Sequence, residues 1–179
     1  MSRILIQHIE VTDPAGQASL EFSNIPQTYS DLLIVCSMRS NRTDAIVDNL
    51  QLGINGQALN LNIGTKIVYG TGSVADSGTF NVAAGGLIST NAATANTFGN
   101  SLIYIPEYTG ANAKSISTDS ASENNAVGAY HCIVASLWNQ AAPISSIVLD
   151  PSDGSLLVQH SSATLYGITA GSDGTTTVS

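Results

Sequence analysis

The sequence predicts an all-β protein, built as an antiparallel sandwich or barrel. Short apolar or alternating runs recur along the 179 residues, and clusters of Gly, Pro, Asn, Asp and Ser separate them. No stretch repeats apolar residues at three- and four-residue spacing over three turns, as an amphipathic helix would. Since parallel strands need long crossovers, which are usually helical, these two observations together disfavour a parallel α/β sheet.

Eleven segments have the composition of strands, because each is short, apolar or alternating, and bounded by residues that favour turns. In chain order they are residues 4–11, 19–23, 31–40, 50–55, 66–69, 85–90, 101–105, 114–120, 130–137, 145–149 and 163–168. Residues 70–100 are small and almost uncharged, which predicts a long loop or weakly specified strands. The sequence after residue 169 has the composition of a turn and predicts a flexible tail.

The segment 31–40 predicts a strand at the centre of the sheet. Alternation places one wholly apolar set on one face, which we expect to lie in the core: Leu32, Ile34, Cys36 and Met38. The opposite face begins apolar and ends polar, so we expect another element or another subunit to cover its first half. Arg39 then marks the point where the strand emerges from the core. Segment 130–137 has a similar pattern and is also predicted to be central.

The charge composition limits the possible partners. Charged residues make up only 10% of the chain, against roughly 25% in typical domains. Such a surface suits a protein packed against copies of itself or other subunits, although an ordinary domain with an uncharged polar surface is the alternative. A net charge of −8 with five Lys or Arg disfavours nucleic acid and anionic membranes. No apolar run approaches the ~20 residues of a membrane span, and no signal-peptide core is present.

Catalytic and metal-binding patterns are weak. The cysteines Cys36 and Cys132 match no zinc or redox spacing and are expected to be buried and unpaired. The histidines lack a G-x-S-x-G partner motif, so we expect core or interface roles for them, with His160 the most exposed. The carboxylates are scattered through turns, whereas a glycan depolymerase, the enzymatic alternative, needs a convergent pair. The sequence therefore predicts no enzyme, no cofactor and no metal.

Aromatic side chains suggest a second kind of site. Tyr29, Tyr104 and Tyr166 fall within or beside strands, where core packing is the ordinary role. Tyr108 and Trp138 follow strands instead, so we expect them to be exposed. With His160, these two are the candidate interaction residues, and loop-borne aromatics could form a platform for a sugar.

Four segments together resemble one family. They are EFSNIPQTYSDLLIVCSMRS (21–40), IYIPEYTGANAKS (103–115), LWNQAAPISSIVL (137–149) and ATLYGI (163–168). In this order they resemble the small β-sandwich module of tailed-bacteriophage virion proteins, often described as tail-fibre or structural proteins. Within the pattern, Ile25-Pro26 favours an extended turn with Tyr29 packed beneath it, and Gly167 permits a close backbone approach.

The resemblance implies a jelly-roll-like sandwich, a place on a virion, and assembly as homotrimers or larger oligomers. One segment departs from the pattern: LGINGQALNLNIG keeps the Asn55-Gly56 turn but lacks the family's tyrosine. No ligand-contacting or catalytic residue is therefore carried over to this chain.

The predicted function is that of a non-enzymatic bacteriophage structural protein on the particle surface. A capsid decoration or cement subunit, or a small appendage, is favoured because the module begins almost at Met1, whereas a fibre tip normally follows a shaft. The alternative is a tail-fibre or receptor-binding component that recognises host-surface glycans. The expected partners are copies of itself, capsid or tail subunits and, in the alternative, host-surface carbohydrate.

The predicted organisation has three parts. Residues 1–18 form an N-terminal strand or arm, residues 19–169 the sandwich domain, and residues 170–179 the flexible tail. The expected location is the virion, after synthesis in the host bacterial cytoplasm.

Overall fold

The computed structural model describes residues 2–79, 84–123 and 129–169, which form twelve β-strands and no α-helix. The strands are β1 (Ser2–Glu10), β2 (Leu20–Phe22), β3 (Asp31–Ser40), β4 (Val47–Ile54), β5 (Ile63–Gly70), β6 (Ala75–Gly78), β7 (Leu87–Thr90), β8 (Gly99–Ile105), β9 (Lys114–Glu123), β10 (Ala129–Trp138), β11 (Ile147–Pro151) and β12 (Ser162–Thr169). A single 3₁₀ turn follows β11 at Ser152–Gly154. The predicted tail, 170–179, lies outside the described residues.

The strands form one mixed sheet, and β3 is its branch point. Eight strands make a continuous antiparallel path in the order β1-β12-β3-β8-β9-β10-β5-β6. A three-stranded branch, β2-β11-β4, joins this path through β7. The β3–β7 pair is parallel and involves only Arg39 and Ser40 of β3, whereas the other strand pairs of the described chain are antiparallel.

The all-β class predicted from the sequence is confirmed, and each of the eleven predicted segments overlaps a strand. The segment 31–40 coincides with β3 from end to end. The predicted central positions of β3 and β10 are also confirmed, because each is flanked by two antiparallel strands. One strand, β6, is missing from the prediction: its sequence, ADSG, has no apolar alternation, and it is a strand only because it pairs with β5.

The core receives side chains from both parts of the sheet. From β3 it contains the predicted set, Leu32, Ile34, Cys36 and Met38, all essentially inaccessible to solvent. The same cluster includes inward-facing residues of the branch, namely Leu20, Phe22, Leu50, Leu52, Ile54, Ile147 and Leu149. The apolar faces of the long path and of the branch are therefore buried together.

The predicted close approach at Gly167 of β12 is present, but the group that approaches is a side chain. A β-carbon added to Gly167 would lie 2.3 Å from Cγ and Cδ2 of the Tyr29 ring. Tyr29 is half-buried and packs against the core cluster. Glycine at position 167 therefore provides the space that this ring occupies.

Arg39 does not mark the emergence of β3 from the core, and that expectation is wrong. The residue is only 5% exposed. Its guanidinium donates to Asn91 Oδ1 at 3.1 Å and to the carbonyls of Thr94 and Thr97 at 2.7 and 2.8 Å. Arg39 is buried because its planar group of N–H donors is matched by the acceptors of loop 91–97, which fold over it.

Candidate interaction surface

Two of the three predicted interaction residues, Tyr108 and Trp138, are fully buried, so the expectation that they are exposed is wrong. Trp138 is the last residue of β10, one position beyond the predicted strand, and alternation from Cys132 and Val134 turns it inward. The Tyr108 ring joins the core cluster, and its hydroxyl is satisfied by donation to the carbonyl of Pro26. Neither ring is available as a surface platform for a ligand.

The third predicted interaction residue, His160, is exposed as expected, and its Nδ1 lies 3.1 Å from Glu10 Oε1. The other two histidines are exposed as well, so the core role expected for them is wrong, whereas the alternative, an interface role, stays a prediction. His131 Nε2 lies 3.0 Å from Asp119 Oδ1, and His8 Nδ1 lies 2.8 Å from Thr164 Oγ1. No group of three or more His, Cys, Asp or Glu within the described residues could hold a metal ion.

The two cysteines are unpaired and buried in different clusters. Burial raises the pKa of the Cys36 thiol to about 12 and also raises the pKa of Cys132. Since the thiolate is the reactive form, both side chains are poor nucleophiles in the folded protein. They act as small core residues.

The outer face of the eight-stranded path, the face turned away from the core, has a row of exposed apolar side chains that Asp119 interrupts. In register across β3, β8, β10 and β5, four of them are exposed: Val35 (36%), Leu102 (43%), Ile133 (56%) and Val68 (60%). Val35 is paired with Leu102, and Ile133 with Val68, while Asp119 of β9 lies between the two pairs. We call these four residues the apolar row.

A groove of about 640 Å³ lies beside the apolar row on the same face. Its exposed lining includes Ser115 and Ser117 of β9, Ala135 and Leu137 of β10, and Lys66 of β5. Lys66 is the one charged residue in this lining, and its ammonium donates to Thr79. Among the described lining residues, hydroxyl groups predominate, and no imidazole, thiol or carboxylate lies beside them.

Tyr104 forms one wall of this groove, and its hydroxyl is already engaged. The hydroxyl donates to Asp31 Oδ2 at 2.9 Å. Partial burial and this carboxylate raise the pKa of Tyr104 above its ordinary value. Part of the Tyr104 ring therefore faces the groove, whereas its hydroxyl is hydrogen-bonded to Asp31 of β3.

A cluster of carboxylates around Arg42 lies away from this face and was not predicted from the sequence. Asp48 is buried, and its Oδ1 accepts hydrogen bonds from Ser152 Oγ at 2.5 Å and from Arg42 at 3.4 Å. Arg42 also pairs with Asp44 at 2.7 Å and with Asp153 at 3.2 Å. The only sequence signal was the spacing of acids in DPSDG. Because Arg42 supplies the positive charge, the cluster is an ion-pair network, in which Asp48 is buried and Asp44 and Asp153 are exposed.

Comparison of the chain with protein-family models, with curated proteins and with solved structures finds no match. The structure defines an all-β protein whose outer sheet face has the apolar row and the groove beside it. None of its described residues belongs to a helix long and apolar enough to cross a membrane.

Proposed function

We propose that this protein is a non-enzymatic structural subunit of a tailed-bacteriophage virion and that it works by packing its outer sheet face against neighbouring subunits. The observation that carries the proposal is the apolar row. The virion class comes from the resemblance of four sequence segments to phage structural proteins. Capsid decoration or cement, or a small appendage, is the favoured role.

The exposure of the apolar row supports an interface, because exposed apolar patches with polar residues around them are typical of interaction sites. Two cross-strand pairs of apolar side chains, one on each side of Asp119, are covered by water in the isolated chain. Covering these pairs with another subunit is favourable at roughly 25 cal/mol per Å² of apolar surface. The carboxylate of Asp119, which lies 3.0 Å from His131 Nε2, is desolvated in the same contact, and this opposes part of that gain.

A jelly-roll-like β-sandwich is the architecture that we propose for this subunit. The branch β2-β11-β4 and the central part of the long path contribute to one apolar cluster, as two facing layers do. The outer face is then the free side of one layer. This arrangement leaves a broad face available for contacts between subunits.

A second candidate, recognition of host-surface glycans by a tail-fibre or receptor-binding component, is supported by the groove. Its serine hydroxyls and the ring of Tyr104 are groups that bind sugars. However, the burial of Tyr108 and Trp138 removes the exposed aromatic platform on which this role depended. Assembly is therefore the better-supported function.

The proposal is tested by binding to virions that lack this chain. Unmodified protein should co-sediment with such particles, and Ile133→Asn, which places a polar amide in the apolar row, should reduce binding. Leu61→Asn is the matched control, since Leu61 is similarly exposed (50%) but lies in the turn after β4. Equal binding by the two variants would refute the role of the outer face.

Placement on the particle is tested separately by immunogold labelling of intact virions with an antibody to this chain. Gold on the capsid supports decoration, whereas gold on the tail supports the receptor-binding candidate. Absence of the chain from purified virions would overturn the virion proposal itself. Binding of a glycan array by isolated protein, abolished by Ser117→Trp in the groove, would favour the second candidate.

A further inference from the structure

Strand β1 is an edge strand, and it is long and partly apolar. Within the described residues it pairs with β12 on one side and has no strand on the other. Ile4 and Leu5 are exposed large hydrophobic residues on this strand. An exposed, apolar edge strand presents unpaired backbone donors and acceptors that can pair with another chain.

A β-bulge at Ile6 changes which face the β1 side chains occupy. Leu5 is opposite Tyr166 and Gln7 is opposite Leu165, so Ile6 is the extra residue between them. Because of the bulge, the outer-face residues are Arg3 and Leu5 before it, and His8 and Glu10 after it. The core-side residues are Ile4, Ile6, Gln7 and Ile9, of which Ile6 and Ile9 pack against the core cluster.

Because the bulge changes which residues face outward, one register suits the pairing of β1 with β1 of a second copy about a two-fold axis. In that register Arg3 lies opposite the partner's Glu10, and Ile4 opposite the partner's Ile9. Leu5 then lies opposite the partner's His8, so outer-face residues meet outer-face residues along the whole strand. A shift of one or two residues in either direction places an outer-face side chain opposite a core-side one, which sheet geometry disfavours.

The charges on β1 are complementary in the same register. The chain has five Lys or Arg, and Arg3 is the one that no ion pair or hydrogen bond joins to a described residue. Glu10 is exposed, and among the described residues its carboxylate contacts His160 through Oε1 at 3.1 Å. We propose that β1 pairs antiparallel with β1 of a second copy of this chain, with an Arg3–Glu10 ion pair at each end.

The two-fold contact places one His160, a predicted interaction residue, next to each ion pair through its contact with Glu10 of the same chain. It also joins the outer faces of two copies into one continuous surface. The contact involves backbone pairing and two charge pairs rather than the apolar row. It is therefore independent of the virion proposal.

Sedimentation equilibrium of the full chain and of charge-reversed variants tests this contact. Arg3→Glu and Glu10→Arg should each weaken the dimer by about tenfold, since each creates two like-charge pairs across the axis. A mixture of the two variants should dimerise as tightly as the unmodified chain, because each mixed dimer restores both opposite-charge pairs. The double variant, with both reversals in one chain, should also dimerise.

Rescue by the mixture reports a contact between chains, because Arg3 and Glu10 are about 23 Å apart along one strand. Glu21→Arg on β2 is the control for the change in net charge in Glu10→Arg and should leave the dimer unchanged; thermal melting confirms that each variant is folded. A monomer at the highest soluble concentration would overturn the proposal. So would a trimer, or a dimer that is insensitive to both reversals.

Discussion

Replacing Gly167 by alanine should destabilise this protein, because the ring of Tyr29 already occupies the space of a β-carbon. That carbon would lie 2.3 Å from Cγ and Cδ2 of the ring and 2.6 Å from Cδ1. Ordinary carbon–carbon contacts are ~3.5–4.0 Å, so the ring must move by more than about 1 Å. Since Tyr29 packs against the core cluster, that movement also disturbs its contacts there.

The expected loss in the free energy of unfolding is about 2 kcal/mol, within the range for overpacking a well-packed site. It is partly offset by the roughly 0.5–1 kcal/mol that alanine gains over glycine in a strand. For a chain of this size, a net loss of about 1–1.5 kcal/mol lowers the melting temperature by about 2–6 °C. Denaturant unfolding of the Gly167→Ala variant measures the loss directly.

Two further variants isolate the contact. Gly64→Ala is the matched control, because Gly64 also lies in a strand and a β-carbon there would meet nothing within 4 Å. Tyr29→Ala removes the ring, so adding Gly167→Ala to it should cost nothing or slightly stabilise the chain. If Gly167→Ala is as stable as Gly64→Ala, or if its cost persists without the ring, the steric reasoning is wrong.

Three other predictions concern side chains that are buried or partly buried. Arg39→Met should lower the free energy of unfolding by about 3 kcal/mol and speed amide hydrogen exchange in loop 91–97, because buried carbonyls lose their donors. Cys36 and Cys132 should not react with a thiol reagent at pH 8 in the native protein, and both should react after denaturation. Asp150→Asn should raise stability at pH 7, since burial raises the pKa of Asp150 and its ionisation therefore opposes folding.

For each of these three predictions, one experimental result would contradict the reasoning. Unchanged exchange in loop 91–97 of Arg39→Met would show that the guanidinium does not hold the loop. A cysteine that reacts with the thiol reagent in the native protein would contradict the burial of that side chain. For Asp150 the gain should disappear below the ordinary pKa of ~3.9, where the carboxyl is protonated in both states. A gain that is equal at pH 3 and pH 7 would have another cause.

The strand segments could be read from the sequence because their pattern is local. In β3, four alternate apolar residues predict both the strand and its buried face, and the structure has both. The prediction missed β6, whose sequence contains no such pattern and whose strand conformation depends on its partner. It also misplaced Trp138, because one added residue in β10 decides whether a terminal side chain faces the core or solvent.

Candidate surfaces were harder to predict, since they require knowledge of which strands are neighbours. Val35 and Val68 belong to one row, although 33 residues separate them by subtraction and three strands lie between them in the sheet. Alternation indicated that Val35 faces away from the core, but only the register across β8, β9 and β10 connects it to Ile133. The expectation that Tyr108 is exposed is wrong because the segments that bury its ring are distant from it in the sequence.

The sequence by itself determined the all-β class, the strand periodicity and the low surface charge, because these depend on composition and on neighbouring residues. Only the tertiary structure decided the order of the strands, the burial of Arg39 by loop 91–97, and the bulge that aligns Arg3 and Glu10 on one face of β1. Those features depend on contacts between segments far apart in the chain. A one-dimensional pattern does not encode such contacts residue by residue.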